Sequence, residues 1–205
     1  MKLSTQGARC HQAFTRSTQH RAMSQAHTIL ELFRSKGELA YDGEGISQIA
    51  HGWQCRQLAL QAGASPALQL ASWLHDIGHL LSELEGTPTL QGLDDRHENT
   101  GADLLQALWG PEVAEPVRLH VQAKRYLVAT YAEYAARLSA DSVRSLALQG
   151  GPMSIEECVG FQSNPYALDA QQLRSWDDVG KRVGWFAPDS EAALAELRAL
   201  MARLA

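Results

Sequence analysis

Five of the chain's eight histidines, His51, His75, His79, His97 and His120, lie between residues 51 and 120. Each falls on a segment with helical character, and together they occupy four successive helices. Neutral imidazole and carboxylate are ligands for first-row metal ions, and Asp76 directly follows His75. A lone histidine on an apolar helix is ordinarily a hydrogen-bonded core residue. About one histidine per helix is instead the pattern of helices converging on a point inside a bundle. The stretch ALQLASWLHDIGHLL, residues 67–81, shows this best. Leu68, Ala71, Leu74, Ile77 and Leu81 recur at helical spacing, and Ser65-Pro66 supplies an N-cap and a first-turn proline. Into that apolar run come His75, Asp76 and His79, which are costly to bury unless something pairs them. A metal ion is the natural partner, so residues 67–81 are expected to form one buried helix carrying part of a metal site.

The surrounding elements must bring the other histidines to it. Residues 24–36 read as an amphipathic helix through Ile29, Leu30 and Phe33, stopped at Gly37. A glycine-rich loop follows, and Ser47 caps a helix from about Gln48 to Ala62 that carries His51. Asp94 or Asp95 is expected to cap the helix bearing His97. Gly110-Pro111 opens the helix where His120 and Lys124 stand one turn apart, with Pro116 leaving its start open. Further helices are expected over Tyr126–Leu138, after an Asp141 cap, after a Ser154/Glu157 capping box, over 169–182 and over 190–204. No segment alternates with period two, so the chain is expected to be all-α, a single helical-bundle domain over 23–205. Residues 1–22 are polar and aperiodic, and are expected to be poorly ordered, with Met23 as a natural start. His11 and His20 lie in that segment, outside the pattern.

Composition narrows the partners. The 205 residues are 45% hydrophobic and 20% charged, with a formal net charge of −5. No cluster of lysine and arginine suggests nucleic acid, and no apolar run approaches the roughly 20 residues of a membrane span. The N-terminus has no signal-peptide core. The three widely spaced cysteines offer neither a disulfide framework nor a paired-cysteine zinc site. A cytoplasmic protein is expected.

The adjacent His75-Asp76 pair, with upstream His51 and late Asp177, resembles the HD superfamily of helical metal-binding domains. More specifically, the strings YDGEGISQIAH (41–51), SWLHDIGHLL (72–81), HENTGA (97–102) and HVQAKRYL (120–127) resemble an HD-domain branch that does oxygen chemistry on two irons. That branch contains inositol oxygenase and a bacterial oxygenase of phosphonate degradation, and the resemblance to the latter covers about Met23 to Phe186. It implies that His51, His75, Asp76 and Asp177 hold one metal, and His97 and His120 a second, with Asp76 bridging. Asp177 is preferred to Asp178 because the family's helix has a lysine four residues after the ligand, as Lys181 is here. Four imidazoles and two carboxylates suit iron or manganese, and the lack of thiolate argues against structural zinc.

The resemblance further implies a lid made by Tyr41 and Glu44, and a phosphonate site using Lys124, Ser142, Ser145 and Gln149. Lys124 is four residues from His120 and so shares its helix face; an ammonium beside two cations calls for an anion between them. His79 would contact substrate without ligating. The implied cofactor is a Fe(II)/Fe(III) pair with dioxygen as co-substrate. The implied reaction oxidises the carbon next to phosphorus in 2-amino-1-hydroxyethylphosphonate or its N-trimethyl analogue, releasing phosphate and glycine or glycine betaine. A 2-oxoglutarate-dependent hydroxylase would supply that α-hydroxy substrate. Which amine is bound depends on its neighbours, with Glu44, Asp42, Tyr126, Tyr131 and Trp53 as candidates. The alternative is an HD phosphohydrolase acting on a nucleotide or phosphate monoester. It would share all six ligands but would leave Tyr41 and Glu44 without a task.

Overall fold

In the computed structural model, residues 27–41, 44–82 and 88–204 are described. The expected disorder of 1–22 therefore lies outside the described residues. The chain is all-α and forms one domain. Its helices are α1 (27–36), α2 (Gln48–Gln61), α3 (Pro66–Leu74), α4 (Ile77–Leu81), α5 (His97–Trp109), α6 (Pro111–Thr130), α7 (Ala132–Ala135), α8 (Ala140–Leu148), α9 (Ile155–Gln162), α10 (Ala167–Val179) and α11 (Ser190–Ala202). Among the described residues, extended pairing is limited to one isolated bridge between Ala40 and Ser47. No helix among them is long and apolar enough to cross a membrane.

Helix α3 is the centre of the bundle. Every residue from Leu68 to Leu74 is buried, and the main core packs Leu70, Ala71 and Leu74 with Phe33, Leu105, Val117, Leu173 and Leu197. Apolar area removed from water at that scale dominates the stability of a helical domain. A second cluster of Leu119, Ala123, Tyr126, Phe161 and Ala170 joins α6, α9 and α10. Helix α6, about 30 Å long at 1.5 Å per residue, runs through both clusters. Pro116 sits inside it, removing one backbone donor without ending it.

Local expectations hold at several caps. Ser47 and Ser65 accept from the backbone N–H three residues on, and Ser154 with Glu157 makes a reciprocal capping box; Asp189 caps α11 in the same way, without having been singled out in the sequence. Four expectations are corrected. The stretch 67–81 is not one helix: α3 ends at Leu74 and α4 starts at Ile77, with Asp76 between them at φ −98°, ψ 12°. Adjacent side chains on a continuous helix do not face each other; the break lets His75 and Asp76 do so. Gly78 fixes the new direction, because a Cβ there would lie 2.0 Å from the carbonyl oxygen of His97. Helix α5 is preceded by Arg96 in the left-handed region, φ 50°, and not by an aspartate cap. Residues 126–130 belong to α6, and the chain breaks at extended Tyr131. Ser139, not Asp141, caps α8, its hydroxyl accepting from Ser142 N–H.

Candidate metal centre

Five elements aim polar side chains at one point in this core. His51 comes from the first turn of α2, His75 and Asp76 from the α3–α4 break, His97 from the first residue of α5, His120 from the middle of α6 and Asp177 from the last turn of α10. All six are buried. Their orientation is set from behind. His51 Nδ1 donates to Gly180 O at 2.8 Å, His75 Nδ1 to Ser72 O at 3.0 Å, and His120 Nδ1 to Val117 O at 2.7 Å. His97 Nδ1 donates to Asp95 Oδ1 at 2.9 Å. A neutral imidazole carries one N–H; with that proton on Nδ1, each ring in its neutral form turns the Nε2 lone pair to the cluster.

Those Nε2 atoms meet in two pairs. His51 and His75 approach at 3.3 Å, and His97 and His120 at 3.2 Å. Asp76 divides its oxygens between them. Its Oδ2 lies 3.6 Å from His51 Nε2 and 3.3 Å from His75 Nε2. Its Oδ1 lies 3.5 Å from His97 Nε2 and 3.7 Å from His120 Nε2. Asp177 Oδ1 joins the first pair, 3.4 Å from His51 Nε2 and 3.8 Å from His75 Nε2. That oxygen is buried with no hydrogen-bond donor. Ligands about 2.0–2.1 Å from one ion stand roughly 3 Å apart, so lone pairs at these separations fit two adjacent cations sharing Asp76.

Charges around the cluster follow from burial and from each other. Burial pushes His51 and His120 down. At His75 burial also lowers, but Asp76 and Asp177 outweigh it and carry the ring up to about 10. Burial alone would raise Asp177; Arg174 and Lys181 more than offset this and hold it well below the usual carboxylate range. Arg174 Nη1 donates to Asp177 Oδ2 at 2.6 Å, its Nε to the Tyr134 hydroxyl at 3.0 Å and its Nη2 to Ser142 Oγ at 3.2 Å. Asp178 pairs with Arg174 and Tyr134, away from the imidazoles. Cys55, one turn after His51, has Sγ 3.7 Å from His51 Nε2. Burial drives its thiol well up, so it stays protonated and points to Trp176 O at 3.6 Å.

A cavity of about 40 Å³ opens beside the cluster. Tyr41, His79, Lys124, Ser142, Ser145 and Gln149 all line it, with Asp76, His97, His120 and Asp177 at its base. Lys124 Nζ donates to Ser145 Oγ at 2.7 Å, and burial followed by the neighbouring Arg174 brings its ammonium down to about 7. Tyr41 is buried and stacks on His51, centroids 3.9 Å apart. Glu44 is not part of the wall. Its carboxylate faces Lys181 Nζ at 3.8 Å, and that ammonium lies over the Tyr41 ring at 5.3 Å. Trp53 packs in the main core, Tyr126 pairs with Gln162, and Tyr131 is exposed; none lines the cavity. Asp42 lies outside the described residues.

Sequence reasoning assigned no site task to Asp95, Arg174 or Lys181. The available signals were spacing: Asp95 stands two residues before His97, Arg174 three before Asp177 and Lys181 four after it.

No family model matches the chain. Curated relatives do. A [1-hydroxy-2-(trimethylamino)ethyl]phosphonate dioxygenase (glycine-betaine-forming) of Leisingera caerulea is 40% identical over 159 residues, 77% of this chain and 81% of the relative. A hydroxymethylphosphonate dioxygenase of Gimesia maris is 40% identical over 163 residues, 79% and 81% of the two chains. An uncharacterized protein, L432, of Acanthamoeba polyphaga mimivirus is 35% identical over 161 residues, 78% and 74%. A helical domain with a buried His–Asp cluster and relatives at this identity over most of both chains lead to one statement: the chain belongs to the phosphonate dioxygenase family of oxygenases.

Proposed function

We propose that this oxygenase is a diiron enzyme that cleaves the C–P bond of a 1-hydroxyphosphonate with dioxygen, releasing phosphate. The observation that carries the reading is the pairing of imidazole Nε2 atoms on either side of Asp76, at 3.3 and 3.2 Å. His51, His75, Asp76 and Asp177 would hold one iron, and Asp76, His97 and His120 the other. Nitrogen and carboxylate donors with no thiolate suit iron. When bound, the pair supplies the electrons and open positions that dioxygen chemistry requires.

The protein's own groups would do the rest. Lys124, with Ser142 and Ser145 beside it, would receive the phosphonate oxygens through charge-assisted hydrogen bonds. Arg174 adds a fixed positive charge behind Ser142. His79, its Nδ1 proton held by Asp95, would present Nε2 as an acceptor to the substrate hydroxyl. Tyr41, stacked on His51, would cover the cluster and exclude water, with Lys181 and Glu44 holding it in place. The two named relatives act on phosphonates that share a hydroxylated carbon on phosphorus, and this is the part that such a cavity would grip. Among the described lining residues, Tyr41 is the sole tyrosine, tryptophan or phenylalanine, whereas Asp94 and Asp141 stand at the wall. Carboxylates without an aromatic cage favour a primary amine over a quaternary ammonium. A 2-oxoglutarate-dependent hydroxylase would supply the α-hydroxy substrate.

The test is aerobic and anaerobic incubation of iron-loaded protein with hydroxymethylphosphonate, 2-amino-1-hydroxyethylphosphonate and its N-trimethyl analogue. Phosphate release with matching oxygen uptake is expected, fastest with the primary amine. Equal release without oxygen would make the C–P cleavage hydrolytic and end this reading.

A further inference from the structure

Asp95 has two histidines as partners. It lies in the turn before α5, where left-handed Arg96 (φ 50°) folds the chain back. Its Oδ2 accepts from His79 Nδ1 at 2.6 Å, and its Oδ1 accepts from His97 Nδ1 at 2.9 Å. The His97 backbone N–H adds a longer contact to Oδ1 at 3.4 Å. The two rings stack with centroids 3.9 Å apart and planes 23° apart. One ring belongs to the metal cluster, the other to the cavity wall. The remaining cluster imidazoles are oriented by backbone carbonyls; His97 alone of the four depends on a side chain that is already shared.

We propose that Asp95 is the positioning residue that fixes the tautomer of His97 for metal binding and, through the same carboxylate, the orientation of His79 toward substrate. The inference rests on reading His97 as an iron ligand. A carboxylate offers only acceptors, so it holds both Nδ1 atoms in the N–H form and both Nε2 atoms forward. An asparagine cannot do both: its carbonyl oxygen satisfies one ring and its NH2 opposes the other. A shared support of this kind also sets the spacing between the His97 and His79 rings, because neither can turn without disturbing the carboxylate that holds the other.

The test titrates ferrous iron anaerobically into wild-type protein, Asp95→Asn, His79→Leu and the double variant, counting bound iron. Outer carboxylates that support ligating histidines are worth roughly tenfold to a hundredfold in metal affinity. The wild type and His79→Leu should bind two irons. Asp95→Asn should weaken one of the two by at least about tenfold. In the double variant the introduced amide carbonyl has no competing ring and should turn to His97, restoring that affinity to near the His79→Leu value. Unchanged iron affinity in Asp95→Asn, or no recovery in the double variant, would overturn the proposal. A second measurement needs no variant: imidazole nitrogen NMR of the metal-free wild type should show protons on Nδ1 of both His79 and His97. A ring with Nδ1 bare would overturn it as well. Wild-type protein that binds no iron would overturn the metal-centre reading and this inference together. Two bound irons without phosphonate cleavage would overturn only the former's chemistry and leave Asp95 in place.

Discussion

His97 Nε2 and His120 Nε2 face each other at 3.2 Å inside the protein. Their Nδ1 protons are engaged elsewhere, so this contact is repulsive unless a cation lies between. The folded state should therefore be stabilised by the ion it binds. At free iron about 1,000-fold above Kd, linkage gives about 4.1 kcal/mol per site. Thermal unfolding with ferrous iron against chelator should show a rise in Tm that grows with iron concentration. A Tm indifferent to iron would contradict the cluster's reading as a metal centre.

His75 predicts a pH dependence for the metal-free protein. Its folded pKa is raised from 6.5 to about 10 despite burial, through Asp76 and Asp177. A raised folded pKa contributes stability that is fully present below 6.5 and is lost as pH rises through about 10. Metal-free protein should thus lose Tm between pH 7 and 10. Iron-loaded protein should not, because the ion has replaced that proton. Calorimetry in buffers of different ionisation enthalpy should also detect about one proton released from His75 as iron binds near pH 7.

Lys124 sets stability against binding in the opposite sense. Burial brings its ammonium down to about 7, so the unliganded site loses this positive charge as pH rises through neutrality. The ratio kcat/KM should fall above about pH 7, through KM rather than kcat. Lys124→Met should raise KM on the order of a hundredfold, the scale of losing a buried partner to a charge. The same change removes a buried cation and should leave Tm unchanged or higher, with iron content intact. Loss of iron would show that the lysine supports the cluster instead.

Gly78 limits how closely α4 and α5 approach. A Cβ there would lie 2.0 Å from His97 O, and backbone atoms cannot yield as a side chain end does. Gly78→Ala should cost about 1–3 kcal/mol of stability from overpacking. It should also move His97, so iron binding should drop from two ions to one. Tm and iron stoichiometry measured on the same sample would check both.

The helical class and the histidines on successive helices, with Asp76 beside one, are legible in the sequence because both depend on local signals; Asp177 enters through the family resemblance. Apolar spacing marks the helices, and an ionisable residue in an apolar run stands out wherever it occurs. What the sequence concealed depends on packing at a distance. The break between Leu74 and Ile77 leaves no local trace, since SWLHDIGHLL continues the helical apolar spacing; the cause is α5 pressing on Gly78. Asp95 resembles a helix cap in sequence, yet His79, sixteen residues upstream, takes one of its oxygens. Arg174 looks like an exposed helix charge until Tyr134 and Ser142 arrive from α7 and α8. Asp141 and Ser139 are both capable caps, and only the path of the chain chooses between them.

The α3–α4 break also couples ion occupancy to backbone motion. His75 closes one helix and Asp76 precedes the other, so an ion held by both acts as a pin through a joint. Opening α4 alone would pull Asp76 from the cluster and must break coordination first. Amide hydrogens of residues 79–81, otherwise protected by a helix of barely more than one turn, should exchange quickly without iron and slowly with it. The exchange rate of that one turn would then read out how full the centre is.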